Sequence, residues 1–306
     1  MIKIFRNRNT IMISALILGF SMGKWANYLQ PLLVYILSAM MTLSLQGVSH
    51  KIFLQYKKVL RISIEAILIG YFLFGIIIFT LSWLFFANDT ATRTGFIFIM
   101  LSPPGVVIIP FALKLNSDIE WSVIGVVAGY FSSLLIIPLG LLLFMEKTQT
   151  ISVNSLINLL LWSIVIPFIA SRFLRKNKID TFIIKYRSTF IDILFFILIY
   201  VVIGINREVI FEAPVLIFKI TMVLVLTLFG GTYIFGKIIQ KFSSNRSTMI
   251  SKQMMFAVKN NGFSAVLAIS ISGGESSIPA VVLSVVLLLF LIIFESVYLR
   301  KSLKTG

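Results

Sequence analysis

Phe256-Ala-Val-Lys-Asn-Asn-Gly-Phe-Ser-Ala-Val-Leu-Ala268 decides how the rest of the chain is read. It lies inside an apolar segment long enough to cross a bilayer, yet it carries Lys259, Asn260, Asn261 and Gly262 in a row. Such a cluster is costly in hydrocarbon and marks a functional site by default. The expectation is that the helix breaks here and that the break lines a substrate site near the bilayer centre. The bland alternative is a kinked helix whose lysine reaches interfacial water.

Composition supports the membrane setting. The 306 residues are 58% hydrophobic and 12% charged, with mean hydropathy +1.02. A soluble domain carries about twice that charge. Repeated apolar runs match the length of bilayer-spanning helices, and the alternating ten-residue strands of an outer-membrane barrel are absent. There is no cysteine, which excludes disulfides and thiolate metal sites, and the single histidine, His50, falls in a basic loop. No metal site or cofactor is expected. The basic start and apolar core of Met1–Ala26 look like a signal peptide, but no small-x-small site follows and the segment is expected to stay as the first span.

Ten spans are expected, at about 11–29, 31–48, 60–86, 94–113, 119–145, 153–171, 188–205, 213–236, 249–272 and 278–299. Connections are short, so the chain reads as one integral membrane domain. With both termini in the cytoplasm, 21 lysines and arginines fall on inside segments and 4 outside (Lys24, Arg93, Lys147 and Arg207), with Lys219 and Lys259 inside spans. That imbalance is a strong positive-inside pattern for the cytoplasmic membrane. It also explains the net charge of +16 without nucleic acid. Arg172 to Lys178 reads as an anchor on anionic lipid. Trp25, Trp83 and Trp121 suit the aromatic belt, and Trp162 faces lipid or a helix. Glu65, Lys219, and Asp192 and Glu295 beside Arg187 and Arg300 read as structural or interfacial charges.

A second interruption is Ser102-Pro-Pro-Gly105 in the fourth span. Prolines prevent a regular hydrogen-bond ladder there. Gly105 and Gly262 are 157 residues apart, an acid follows each after 13 residues (Asp118 and Glu275), and Ile52-Phe53 and Ile210-Phe211 are 158 apart. One offset fits all three and divides the chain into repeats of about 1–150 and 151–306. Five spans per repeat make the second half inverted. Interrupted spans at matching positions of inverted halves are the sequence pointer to a secondary-transporter site. The half-helix after each break also turns a positive dipole end inward, which suits an anion.

With those breaks in view, the chain resembles the bile acid:sodium symporter family over nearly its whole length. The matching stretches are Leu101-Ser-Pro-Pro-Gly105, Asn116-Ser-Asp-Ile-Glu-Trp-Ser-Val123 and Val258-Lys-Asn-Asn-Gly-Phe-Ser-Ala-Val-Leu-Ala268. The family pattern has cysteine-proline-glycine-glycine in the fourth span and glutamine-asparagine-serine-glycine in the ninth. The resemblance implies an all-α fold of ten helices in two inverted five-helix repeats. Helices four and nine unwind and cross mid-bilayer. A core (spans three to five and eight to ten) moves against a panel (one, two, six and seven), with substrate between them. The implied crossover residues are Ser102, Pro103, Pro104, Gly105, Lys259, Asn260, Asn261 and Gly262. Tyr71, Ser122 and Met255 are candidate cavity-lining positions.

The chain departs from the family where the ions bind. The third-span glutamine ligand falls on Tyr71. The serine and asparagine after the fourth-span break fall on Ile108 and Ile109, and a fifth-span threonine on Val126, while Ser122 keeps its serine. The ninth-span glutamate falls on Met255 and the glutamine on Lys259. Sodium needs several oxygen ligands, which isoleucine and methionine do not offer. Sodium coupling of the usual kind is therefore not expected. Lys259 has three roles open to it: standing in for the missing cation, binding and releasing a proton, or pairing with a substrate carboxylate.

The functional expectation is a secondary transporter of a small organic anion. One alternative is a carboxylate exporter resembling the auxin efflux carriers. Another is a non-transporting membrane sensor or an enzyme. The sequence has no His-Glu-x-x-His, no Ser/His/Asp set and no acid pair in the spans. It also lacks a glycine-rich phosphate loop for ATP and any segment long enough for an output domain.

Overall fold

Backbone polar groups in hydrocarbon must be satisfied within the protein, and a helix does this for all but its end residues. The computed structural model of this chain describes residues 8–46, 55–145, 153–174, 178–242 and 245–303. The repeat pair Ile52-Phe53, and His50, Lys147, Arg175 and Lys176, lie outside them. Among the described residues the regular elements are all helical. In order they are α1 (Arg8–Met22), α2 (Ala26–Leu29), α3 (Leu33–Gln46), α4 (Tyr56–Ile67), α5 (Phe74–Phe85), α6 (Thr90–Leu101), α7 (Ile108–Lys114) and α8 (Ile119–Phe144). There follow α9 (Val153–Leu160), α10 (Ile166–Phe173), α11 (Lys178–Glu212), α12 (Pro214–Val225), α13 (Thr232–Gln240), α14 (Arg246–Ala257), α15 (Asn261–Ser272) and α16 (Ile278–Leu303).

Three pairs of these helices are continuous through a widened π turn: α4 to α5 through Leu68–Leu73, α9 to α10 through Leu161–Val165, and α12 to α13 through Leu226–Gly231. Among the described residues, six helical paths are long and apolar enough to cross a membrane: Ile13–Gln46, Tyr56–Phe85, Ile119–Phe144, Ile183–Glu208, Pro214–Gln240 and Glu275–Tyr298. Three shorter apolar helices accompany them, Thr90–Leu101, Ile157–Phe173 and Asn261–Ser272. The chain is thus an all-α, multi-pass membrane protein. The first two expected spans are not parted by a loop. They form one helical path of 34 residues, interrupted by tight turns at Gly23–Trp25 and Gln30–Leu32.

Packing gathers the helices into two sets. The long α11 carries α1 and α3 along it, and α3 also packs on α10. Small residues bring α1 close: a Cβ on Gly19 would lie 2.8 Å from Ile203, and one on Gly23 2.8 Å from the Gly204 carbonyl. Small residues at such an interface let backbones approach in a membrane. The other set joins α4 to α8, α5 to α6, α12 to α16, and α15 to both α6 and α16. The two sets meet where Leu198 of α11 faces Gly262, and where Asn206 Nδ2 donates to Ser277 Oγ at 2.9 Å.

Several charges serve this packing. Glu65 receives Arg61 at 3.2 Å, Lys252 at 2.9 Å and the Trp121 indole at 3.3 Å, which ties α4, α8 and α14 together. Trp121 is therefore buried, 3% exposed, and does not belong to an aromatic belt. Glu295 pairs with Lys114 at 2.5 Å. Arg172 donates to the Leu45 carbonyl at 2.8 Å, so it satisfies the end of α3 instead of lying free for lipid.

Candidate functional site: a crossing of two interrupted helices

Both expected breaks are present. Helix α6 ends at Leu101 and α7 begins at Ile108; α14 ends at Ala257 and α15 begins at Asn261. Pro103 and Pro104 lack N–H donors, so a helical ladder cannot continue through them. The two open segments meet as a short antiparallel bridge between Pro104 and Lys259. Gly105 N–H donates to the Val258 carbonyl at 2.9 Å, and Asn260 N–H donates to the Pro103 carbonyl at 2.9 Å. Each break thus supplies the hydrogen bonds the other has lost. In lipid an unsatisfied backbone group costs several kcal/mol, so neither break is tenable alone.

Glycines at the crossing work through proximity. A Cβ on Gly105 would lie 2.9 Å from Val258 Cγ1 and 3.1 Å from the Lys259 carbonyl. A Cβ on Gly129 of α8 would lie 2.4 Å from Pro104 Cγ and Cδ. From the sequence, Gly262 has two roles open to it, permitting the turn and allowing close approach. It sits in the first turn of α15 with Leu198 3.1 Å from its would-be Cβ, which fits close approach, and among the described residues the only glycine with positive φ is Gly273. Its smallness admits the neighbouring helix.

Lys259 is 1% exposed. Its Nζ donates to the Gly70 carbonyl at 3.1 Å. It sits 4.3 Å from the Tyr71 ring centroid and 5.3 Å from that of Phe74. Among the described residues, no carboxylate pairs with it. The amine therefore points into the π turn of the α4–α5 helix, where widening displaces carbonyls from the α-helical pairing. One carbonyl hydrogen bond and two ring faces are the contacts that surround the buried amine. Tyr71 is buried, and its hydroxyl donates to the Gly129 carbonyl at 2.7 Å. A circuit results: Lys259 on Tyr71, Tyr71 on Gly129, Gly129 against Pro104, and Pro104 bridged to Lys259.

The asparagines complete the junction. Asn260 Oδ1 accepts from Phe263 N–H at 3.1 Å, capping α15, while its Nδ2 donates to Tyr130 Oη at 2.8 Å and lies 3.7 Å from Met41 Sδ of α3. Asn261 Nδ2 donates to Ser284 Oγ on α16 at 2.7 Å. Ser102 Oγ donates to the Phe98 carbonyl at 2.6 Å, and Ser264 Oγ lies 2.8 Å from Ser102 Oγ. All eight expected crossover residues are buried.

The three candidate cavity-lining residues divide. Tyr71 belongs to the lysine's surroundings. Met255 is fully buried, and its methyl lies 2.6 Å from a would-be Cβ on Gly125, so its side chain fills the space between α8 and α14. Ser122 stands apart from the lysine, with its Oγ donating to Ser251 Oγ at 2.9 Å. Ile108 and Val126 are fully buried and apolar. Among the described residues, no three histidine, cysteine, aspartate or glutamate side chains gather as a metal group.

Sequence reasoning missed Gly70, Phe74, Gly129 and Tyr130. A trace was present: Ser122, Gly125, Gly129 and Ser133 recur at three- and four-residue spacing on one face of an otherwise apolar span. No family model matches the chain, and no curated protein matches it significantly.

Proposed function

We propose that this chain is a secondary transporter of a small organic anion, a carrier and not an enzyme, working by alternating access. The observation that carries this reading is the buried bridge between Pro104 and Lys259. Broken helices meeting away from their ends are costly unless the site binds or moves something. The two helix sets fit a panel (α1–α3 with α9–α11) and a core (α4–α8 with α12–α16), as in the bile acid:sodium symporters that the sequence resembles.

Ten spans in two inverted repeats fit the same picture. The α4 helix, Tyr56–Ile67, and the α12 helix, Pro214–Val225, are offset by 158 residues at both ends. Their π turns, Leu68–Leu73 and Leu226–Gly231, keep that offset. Ten spans require the first helical path to reverse within Gly23–Leu32, where short 3-10 turns interrupt it. The basic-residue imbalance then places both termini on the cytoplasmic side of the inner membrane.

Coupling by sodium has little support. Lys259 brings an amine to a place where the resemblance puts a sodium ligand, and the side chains of Met255, Ile108 and Val126 present no oxygen. The amine faces the core and not the panel, which favours its standing in for a cation over its pairing with a substrate carboxylate. Proteoliposome uptake across a panel of organic anions, with sodium replaced by choline, tests the proposal. Uptake is expected to persist in choline, and Lys259→Ala to reduce it more than neutralising Lys58 or Arg61. Strict sodium dependence would remove the coupling scheme, and no uptake of any anion would remove the transporter.

A further inference from the structure

Two aromatic faces and a single carbonyl oxygen surround the Lys259 ammonium, and that is an unusual set of partners for an inorganic cation. We infer that Gly70, Tyr71 and Phe74 form a binding cage for an alkylammonium ion, filled in cis by the protein's own Lys259 side chain. The inference rests on reading Lys259 as a cation stand-in, and it specifies which cations the cage accepts. Sodium takes most of its binding energy from several oxygens, and here the amine donates to one carbonyl oxygen, that of Gly70, at 3.1 Å. Ring faces at 4.3 Å and 5.3 Å instead attract a weakly hydrated, partly apolar cation.

The walls do not depend on the lysine. Tyr71 is fastened to the Gly129 carbonyl at 2.7 Å. Phe74 packs edge-on against Phe256 with centroids 5.8 Å apart and an interplanar angle of 72°, and both phenylalanines are buried. Gly70 has Met255 carbonyl oxygen 3.5 Å from its would-be Cβ, so α14 backs the turn. Truncating Lys259 to alanine removes three carbons and the nitrogen, the outline of propylammonium, and leaves a cage of matching chemistry.

The test is thermal melting of the purified full-length protein in detergent, followed by tryptophan fluorescence. Propylammonium chloride is expected to raise the midpoint of Lys259→Ala by about 3 °C. It is expected to leave the wild type unmoved, and to fail on a Tyr71→Leu/Lys259→Ala double variant. An equal rise with sodium chloride would make the site an ordinary oxygen-lined one, and an equal rise with 1-propanol would make it a mere void. Either result overturns the inference, as does an equal effect on the wild type or no effect at all. Should Lys259→Ala fail to fold, Tyr71→Phe and Tyr71→Leu beside an intact Lys259 decide the matter. The leucine variant is expected to melt about 3 °C below the phenylalanine one, and equal melting overturns the cage. Melting needs no substrate, so failure here leaves the transport proposal standing, and absence of uptake leaves the cage standing.

Discussion

Gly129→Ala tests whether the crossing is held as tightly as its geometry indicates. The new Cβ would lie 2.4 Å from both Cγ and Cδ of Pro104. The pyrrolidine ring cannot rotate away, so van der Waals contact is regained only by displacing Pro104 or α8 by about 1 Å. Such a shift would stretch the backbone bonds of 2.9 Å on either side of Pro104 beyond hydrogen-bonding range. Overpacking alone costs about 1–3 kcal/mol, and a buried backbone group left unpaired costs about 1–3 kcal/mol more. A loss of about 3 kcal/mol corresponds to a fall of roughly 6–12 °C in melting midpoint for a protein of this size or somewhat smaller. Gly230→Ala is the control, because nothing lies within 4 Å of its would-be Cβ. Melting of detergent-purified variants is the assay. If Gly129→Ala melts within a degree or so of Gly230→Ala, the tight contact between α8 and the fourth-span break is wrong, and with it the circuit through Tyr71.

Three further outcomes are expected. Because the native chain has no cysteine, an Asn206→Cys/Ser277→Cys pair gives a clean oxidative crosslink across the two helix sets; oxidation should stop uptake and reduction restore it, and undiminished uptake by crosslinked protein would show that this contact need not open. A double-mutant cycle on Ser102→Ala and Ser264→Ala, 2.8 Å apart in the folded protein, should give a coupling of about 1 kcal/mol in melting or denaturant unfolding, and strict additivity would separate the two hydroxyls. Lys58→Ala should change stability by about 1 kcal/mol or less, since its partner Glu120 and its own side chain are 39% and 47% exposed, whereas Glu65→Ala, which strips three partners at once, should cost clearly more by the same measurement.

Much of the fold was legible because a membrane leaves few options. Long apolar runs imply helices, and a proline pair or a Lys-Asn-Asn-Gly run inside one implies a break. Both breaks fell where the sequence put them. The count of separate helices was less legible: the sequence reading parts two spans near residue 30, whereas Ile13–Gln46 is one helical path interrupted by short 3-10 turns. At the site, the sequence identified the residues that interrupt helices and, of those that receive Lys259, only Tyr71. Gly70 and Phe74 sit in an apolar run that looks like any lipid-facing stretch. Their part depends on a widened turn, and hydrophobic periodicity does not register one. Trp121 misled for a related reason: its position near a helix end suits an interface, while its partner Glu65 is remote in sequence and close in space.

The bridge at the crossing also constrains the order in which this protein can be made. Pro103 and Gly105 enter the bilayer long before their partners, because Pro104 and Lys259 are 155 positions apart along the chain. Until the segment around Lys259 emerges from the ribosome, the break at Pro103–Gly105 holds open backbone without its partner. The first half is therefore an obligate intermediate that must be sheltered, by the insertion machinery or by a loose fit against its neighbours. Separately expressed halves should be degraded alone and persist only when made together.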